Sequence, residues 1–518
     1  MIRVNNIKIR PQEKLTKKDI AKTIGVDERE IINYTIYRRS IDARKKDNVH
    51  YVYTVDVQLK DEKKVKNRVE VKKEEYIFPN GKKKEYPPLI VGGGPAGLMC
   101  ALMLAESGYK PILIEQGEDA DKRTEKVRLF WEKGELDIRT NVQFGEGGAG
   151  TFSDGKLNTG IKNIRCRRVL EEFVRFGAPE AILYEAKPHV GTDYLVKIVK
   201  GIRNRIIECG GEVRFKNRLE DIIIKDGAVI GAKVSDDFGE YEIKTDDIVL
   251  AIGHSAVDTF NMLCKHNMEM TKKAFSVGVR IEHKQEKINK SQYGEFSKYL
   301  ENADYKLAVH LKDGRGVYTF CMCPGGYVVN SSSEENRIVT NGMSYNLRSG
   351  ENANSAVLVS VTPEDIPGDD PMSGFLFQKD IEEKAYILGG ENYFAPCQRV
   401  EDFLNGVASK DSGSVKPTIK PGVKYTDLSG IFPEFVVLAL KEALPLLDKK
   451  LKGFSDSDAL LTAPETRSSS PVRVVRDTKT LQSISVRGLY PCGEGAGYAG
   501  GIMSAAVDGI RCAEAVIL

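Results

Sequence analysis

The run Leu89-Ile-Val-Gly92-Gly-Gly94-Pro95-Ala96-Gly97-Leu-Met, a helix-like stretch to Gly108, and then Pro111-Ile-Leu-Ile-Glu115 leave this chain few choices of fold. An apolar strand entering Gly-x-Gly-x-x-Gly, a helix, a second apolar strand and a carboxylate at its end form the βαβ unit that holds a dinucleotide. Gly92 permits the sharp turn, Gly94 leaves room for a pyrophosphate, and Gly97 lets helix and strand approach closely. The phosphates then sit against the partly positive N-terminus of the helix, at Pro95 and Ala96. Glu115, followed by Gln116, can accept hydrogen bonds from a ribose diol. These residues serve NAD and FAD equally.

Two further marks follow. Asp246-Asp-Ile-Val-Leu-Ala251-Ile-Gly253-His254 reads as a strand ending in Ala-x-Gly. Near the C-terminus, Val486-Arg-Gly488-Leu-Tyr-Pro-Cys492-Gly493-Glu494-Gly495-Ala-Gly497-Tyr-Ala-Gly500-Gly501-Ile502-Met runs into an amphipathic last helix. With the glycine turn, and in this order, these marks resemble flavoproteins of the glutathione-reductase type, over residues 87 to 260 and 465 to 518. Asp is commoner in that class where this chain has Glu494.

The resemblance implies noncovalent FAD, with Glu494 after Gly493 reaching the ribityl and pyrophosphate region. It also implies that Gly500, Gly501 and Ile502 place backbone N–H groups and a positive helix end beside the pyrimidine end of the flavin, which stabilises the anionic reduced ring. A narrower resemblance rests on a small basic N-terminal domain together with Phe144-Gly-Glu-Gly147-Gly148-Ala-Gly-Thr-Phe-Ser-Asp-Gly-Lys-Leu157 and Glu465-Thr-Arg467-Ser-Ser-Ser-Pro-Val-Arg473. These segments resemble a bacterial or archaeal-type family of uncharacterised FAD-dependent, or NAD/FAD-utilising, dehydrogenases. No substrate is implied.

A chain of 518 residues exceeds one hydrophobic core. The expected fold is α/β: a small basic α+β domain over 1–86, a Rossmann-like FAD-binding domain over 87–261 and 462–518, and an inserted α+β substrate or cap domain over 262–461. With 41% hydrophobic and 29% charged residues the composition is that of an ordinary globular protein. No apolar run of spanning length and no leader-like start are present, so the expected location is the cytoplasm. The nine cysteines form no Cys-x-x-Cys pair and no zinc-spaced cluster, which argues against a structural zinc, a disulfide scaffold and a dithiol reductase, and no metal is expected. Cys321-Met-Cys323 is the one close pair. Strand alternation sets both thiols on one face, and packing is the first reading, redox the second.

Residues 1–88 carry 23 Lys and Arg against 14 Asp and Glu. The expected elements there are strand Ile2–Ile9, helix Leu15–Ile24, and strands Ile31–Ile41 and Val49–Leu59. Arg38, Arg39, Arg44 to Lys46 and a Lys-rich run from Lys60 to Lys84 read as a solvated hairpin end and charged linker, with an RNA-binding patch as the alternative. Tyr86-Pro87-Pro88 marks the boundary. Past the βαβ unit, the glycine-dense segment 141–157 is expected to approach a flat ligand through Gly147 and Gly148. Further expectations are helices over Asn163–Phe176 and from a Thr192 or Asp193 cap to Cys209, a meander turned at Asp226-Gly227, and a strand Ile248–Gly253. The inserted region reads as alternating strands, among them Phe275–Ile281, Gly316–Cys323 and Ala356–Val361, with helices Gln378–Leu388 and Phe432–Leu447.

Flavin would supply the electron chemistry, so the chain has to orient a substrate and set the local charge. Arg473, Arg467 and Glu465 are the candidate catalytic groups, because the Arg fork suits an anionic substrate. His254, directly after Gly253, is a further candidate, with a capping role as the other reading, and His189 is less secure. There is no second Gly-x-Gly-x-x-Gly after a strand, so NADH or NADPH, if used, would dock over the flavin. The expected activity is hydride transfer at flavin N5 to or from an unidentified, anionic small molecule, with a flavoprotein that binds or modifies RNA as the alternative.

Overall fold

Residues 1–65, 69–71 and 75–518 are described by a computed structural model. Residues 66–68 and 72–74, within the Lys60 to Lys84 run, lie outside the described residues.

At the N-terminus, strands Ile31–Asp42, His50–Leu59 and Ile2–Ile9 lie side by side in that order as an antiparallel sheet, and a short piece, Val69–Glu70, pairs on the other side of Ile2–Ile9. The helix Lys17–Ile24 starts at a capping box of Thr16 and Asp19, which satisfies the orphan amides of its first turn. Its fully buried Ile20 packs among Ile2, Ile7, Val55 and Val57. This sheet docks on the rest of the chain through its Ile31–Asp42 edge. The Arg39 amide donates to Tyr184 O at 2.7 Å, and Arg39 O accepts from Ala186 N at 2.8 Å. Two basic groups of the expected patch are paired within the chain, Arg39 with Glu185 and Glu301 and Arg44 with Asp42.

A five-stranded parallel sheet follows, in the order Leu489–Pro491, Ile248–Leu250, Leu89–Val91, Ile112–Glu115 and Glu212–Phe215. Its central strands are apolar throughout because both faces are covered. One face packs against helices Pro95–Glu106, Thr192–Glu208 and Ile502–Ile517. On the other lies a meander of Arg218–Lys225, Ala228–Asp236 and Gly239–Lys244. Asp226 and Gly227 both take positive φ, 51° and 71°, as a two-residue hairpin turn with the right twist requires.

A seven-stranded sheet forms the other half, ordered Ala308–His310, Gly316–Cys323, Asn352–Val361, Phe275–Lys284, Leu460–Glu465, Ala395–Arg399 and Val423–Tyr425. The helix Glu434–Lys450 covers it with Val436, Leu440, Leu444 and Leu447.

Some expectations are corrected. The 461/462 boundary falls inside a strand: Leu460–Glu465 pairs with Phe275–Lys284 through Leu461 and Ile281 and so belongs to the seven-stranded sheet. The strand expected over Ile248–Gly253 stops at Leu250. Thr192 and Asp193 do not cap their helix. Gly191 does, at φ 83°, while the Thr192 hydroxyl donates to Thr151 O at 2.6 Å and Asp193 accepts the Asn346 amide at 2.9 Å. The helix Ala120–Lys133 was not among the expected elements; Asp119 caps it.

Candidate active site

Four strands of the parallel sheet end at one cavity of about 510 Å³. Gly92 and Gly94 follow the first of these ends, Glu115 closes the second, Ala251 to Ser255 follow the third and Cys492 to Glu494 the fourth. In an open α/β sheet the crevice beyond the carboxyl ends of the strands is where ligands bind. The opposite wall comes from the seven-stranded sheet, through Thr319 to Met322 and Glu465, and from Asn341 of the two-stranded ribbon Tyr327–Asn330 and Thr340–Met343.

The glycines of the first turn divide by task. Gly92 holds φ 106°, a turn that favours glycine. A Cβ on Gly97 would stand 1.9 Å from Gly92 O, so this residue permits the helix to seat on the strand and does not reach the cavity. At Gly94 a Cβ would meet only Gly148 Cα at 3.8 Å and would project into open space. Gly94 is also the N-cap of Pro95–Glu106 with no side-chain cap, and Pro95 at the first helical position leaves one fewer amide to satisfy. Gly501 likewise caps Ile502–Ile517 without a side-chain bond, and a Cβ on Gly253, Gly500 or Gly501 would meet nothing within 4 Å. Two helix N-termini therefore face one cavity, a setting for anions.

The glycine-dense loop is bound to this turn. Gly147 N donates to Gly93 O at 2.8 Å. Glu115 accepts the amides of Gly93, Gly117 and Gly145 at 2.7, 2.9 and 3.0 Å, so its carboxylate already has three donors and keeps room for about one more. Arg123, fully buried on the helix Ala120–Lys133, donates to the carbonyls of Asn141, Val142, Gly145 and Glu146. Burial brings Arg123 down to about 10. The anchoring pair Arg123 and Glu115 gathers the loop's backbone so that its glycines can line the cavity.

Fifteen of the expected site residues line the cavity: Gly92, Gly94, Pro95, Ala96, Glu115, Gly148, Gly253, His254, Glu465, Arg467, Gly493, Glu494, Gly500, Gly501 and Ile502. Four do not. Gly97 and Gly147 serve packing, where a Cβ on Gly147 would meet Thr151 Oγ1 at 2.0 Å, and Gln116 lies outside the lining. Arg473 is exposed in the strand Val472–Val474, with its guanidinium over the Tyr498 ring at 5.4 Å. His189 is also absent from the lining; it donates from Nε2 to Asn346 O at 3.1 Å, and burial pulls its pKa down.

Arg467 reaches the cavity wall, but its fork is taken. It pairs with the fully buried Glu382 at 2.7 and 3.0 Å, donates to Ser333 Oγ at 2.7 Å and meets Glu334 at 3.2 Å. Two carboxylates already balance its charge, which corrects its expected role toward an anionic substrate. Glu465 is held by Nη1 of the fully buried Arg280 at 2.8 and 2.9 Å. Burial pushes Glu465 up to about 7 against the pull of Arg280.

His254 lies with Nδ1 3.5 Å from Glu494 Oε1, and its Nε2 is buried without a hydrogen-bond partner among the described residues. An orphaned buried nitrogen beside open glycine positions and two helix N-termini fits a large polar ligand with a phosphate part. The residues present thus fit FAD.

Sequence reasoning missed Arg280, Asn341 and Arg123. Arg280 alone carried a local signal, as an arginine among Val277, Val279 and Ile281 in a strand buried on both faces. Cys492, Asp508 and Cys512 place their ligand atoms within 4.8 Å of one another. That place is filled by a cation already, since Arg476 donates to both Asp508 oxygens at 2.7 and 2.9 Å and to Cys512 Sγ at 3.6 Å.

Comparison with known proteins adds family membership. Residues 85–128 match an FAD binding domain, residues 274–468 the family described as FAD-dependent protein, C-terminal domain-like, and residues 1–58 a domain of unknown function. An uncharacterized protein of Clostridium beijerinckii is 49% identical over 529 aligned residues, covering 100% of this chain and 98% of the relative. Thiamine thiazole synthase of Methanococcus vannielii is 22% identical over 229 residues, 44% of this chain and 72% of that protein. Among solved structures, a geranylgeranyl bacteriochlorophyll reductase-like protein of Thermoplasma acidophilum is 14% identical with a TM-score of 0.37, over 83% of this chain and 77% of the other. The chain belongs to the family of the Clostridium beijerinckii protein, with its segments 85–128 and 274–468 matching an FAD binding domain and an FAD-dependent protein family.

Proposed function

We propose that the protein is an FAD-dependent oxidoreductase that moves a hydride between flavin N5 and a small anionic molecule. The observation that carries this reading is the single cavity joining the Gly92–Gly94 turn, the Gly493–Glu494 and Gly500–Gly501 segments and the seven-stranded sheet. The first would hold the pyrophosphate against the helix starting at Pro95, with Glu115 offering its remaining acceptor capacity to a ribose hydroxyl. Glu494 and the Gly501 helix end would lie along the ribityl chain and ring, and His254 Nε2 would complete its hydrogen bonding on the bound cofactor. FAD supplies two-electron chemistry when bound; the chain supplies orientation and field.

The substrate would take the part of the cavity lined by Lys156, Lys187, Lys306 and Asn341; Lys156 and Lys187 are each paired with a carboxylate, Asp154 and Asp304, at 2.7 Å, so the exposed Lys306 is the ammonium that would meet an anion. NADH or NADPH is the proposed reductant, docking without a Rossmann fold of its own. The reading places the chain among flavoproteins of the glutathione-reductase type. It divides the chain into an N-terminal α+β domain, an FAD domain and an inserted domain, with strand Leu460–Glu465 on the inserted side. The pairs of Arg39 with Glu185 and Glu301, and its backbone hydrogen bonds with Tyr184 and Ala186, support a docking role for the N-terminal sheet over the RNA alternative. Anaerobic mixing with NADH, NADPH and a panel of anionic metabolites tests the proposal. Bleaching of the flavin by one of them, slowed about 10-fold or more in Lys306→Ala, supports it; no bleaching by any two-electron donor contradicts it.

A further inference from the structure

A two-residue thiol pair interrupts the wall of this cavity. The strand Gly316–Cys323 follows its partner Asn352–Val361 regularly to Phe320, opposite Ala356, and resumes at Cys323, opposite Asn354, so its register shifts between them. Inside that bulge Cys321 holds φ 43°, a left-handed conformation that a residue with a Cβ rarely adopts. Bulges and such strained residues concentrate at functional sites. The bulge replaces the simple alternation expected of Cys321-Met-Cys323. It curls the chain so that Cys323 Sγ donates back to Cys321 O at 3.3 Å.

The surroundings set charge on this turn. Arg280 Nη2 donates to Cys321 O at 2.5 Å and lies 3.6 Å from Cys323 Sγ, while its Nη1 is fixed by Glu465. Lys156 donates to Met322 O and pairs with Asp154 at 2.7 Å. Cys321, Met322, Lys156 and Glu465 all line the cavity. The hydrogen bond from the Cys323 thiol, then Arg280 and Lys156, draw the Cys321 thiol below its usual range against burial and the charge of Asp154. Burial and the neighbouring Cys321 push Cys323 the other way. Burial also raises Cys100 and Cys397, and a hydrogen bond with Cys512 together with burial raises Cys492, so among these thiols Cys321 is the one drawn toward the thiolate.

We propose that Cys321 and Cys323 form a redox-active dithiol on the cavity wall, which closes to an intrachain disulfide and reopens. The step balances as follows: the S–S bond forms from the Cys321 thiolate and the Cys323 thiol, the Cys323 S–H bond breaks, and two electrons and one proton leave. Their acceptor would be oxidised FAD bound in the same cavity, which rests on the proposed FAD reading, and the reverse step would reduce the disulfide. The pair would thereby store two electrons between turnovers or pass them to a thiol or disulfide substrate. The inference goes beyond the proposed hydride transfer and stands on the thiol geometry.

The test uses the full-length protein, FAD-loaded and FAD-stripped, treated with the two-electron thiol oxidant diamide, blocked with N-ethylmaleimide and mapped by mass spectrometry. The expected result in both forms is a peptide spanning Cys321 and Cys323 that is two hydrogens lighter and carries no maleimide. With reduced protein, iodoacetamide should label Cys321 at least about 10-fold faster at pH 7 than the buried Cys100, Cys397 and Cys492, with a pH midpoint below the ordinary thiol value of about 8.5. In Cys323→Ser treated with hydrogen peroxide, which supplies the oxygen, Cys321 should stop at sulfenic acid instead of forming the internal disulfide. A peptide labelled twice after diamide, or a Cys321 no faster than the buried cysteines, overturns the proposal. Because the FAD-stripped arm needs no flavin, failure of the FAD reading and failure of the dithiol are told apart.

Discussion

Glu115 accepts the amide of Gly145 at 3.0 Å, and so the carboxylate at the end of the second strand ties the two glycine-rich loops together. A ribose contact alone would make Glu115 dispensable in the absence of cofactor. Three amide donors at 2.7 to 3.0 Å make it structural as well. Glu115→Ala is expected to lower the stability of the FAD-stripped protein by about 3 kcal/mol, since it strands buried N–H groups. It should also weaken FAD binding. Urea unfolding of stripped wild type and variant checks the first effect, and unchanged stability would return Glu115 to a purely ligand role.

The two ends of the glycine fingerprint should fail differently. Gly94→Val adds a side chain that faces the cavity and has only Gly148 Cα nearby, at 3.8 Å. It should fold with near wild-type stability and retain no FAD. Gly97→Val drives a Cβ to 1.9 Å from Gly92 O and should lower the melting temperature or the soluble yield first. Equal FAD retention in a folded Gly94→Val protein would place the pyrophosphate elsewhere.

The arginines of the 465–473 segment should also separate. Arg467→Ala leaves Glu382, fully buried, without its ion pair and is expected to cost about 3 to 5 kcal/mol. Arg473→Ala removes an exposed contact with Tyr498 and should cost less than about 1 kcal/mol while leaving FAD content and turnover unchanged. Thermal melts and flavin content of the two variants provide the check. A large kinetic defect in Arg473→Ala would require that residue to reach the substrate by movement.

His283 carries a pH signature. Its Nδ1–H donates to Phe454 O at 3.2 Å, its Nε2 accepts from Tyr305 at 2.9 Å, and burial pulls it down to about 4. The unfolded chain binds this proton near pH 6.5 and the folded chain does not, so stability falls as pH drops from 6.5 toward 4. Between pH 7 and 4.5 the loss from this one group is roughly 2 kcal/mol. Denaturant titrations at the two pH values should show that difference shrink in His283→Gln, and an unchanged pH slope would reject the assignment.

Where a signal was local, it could be read from the sequence. The strand Ile2–Ile9 and the strand Gly316–Cys323 fall on their expected bounds, and Gly92 takes the positive φ that the fingerprint demands. Turn chemistry and apolar periodicity act over a few residues, which is why these elements were legible. Arg280 and Glu465 meet across 185 positions, and no spacing rule connects them. The same holds for Trp131, whose indole N–H donates to Asn330 O at 2.8 Å across 199 positions. Arg467 and Arg473 look alike in the chain. Only the packing of Glu382 against one and solvent against the other decides their roles. The bulge at Cys321 depends on how its strand pairs with Asn352–Val361, and the Cys-Met-Cys spacing by itself says nothing of it.

The central claim is that the cavity at the ends of the parallel strands holds FAD. The most direct measurement is the absorbance spectrum of the purified protein, followed by denaturation and identification of the released cofactor, with Gly94→Val in parallel. The account expects a yellow protein that releases intact FAD at about one per chain, and a colourless, folded variant. A folded wild-type protein that carries stoichiometric NAD in place of flavin, or that fails to take up added FAD, would contradict it.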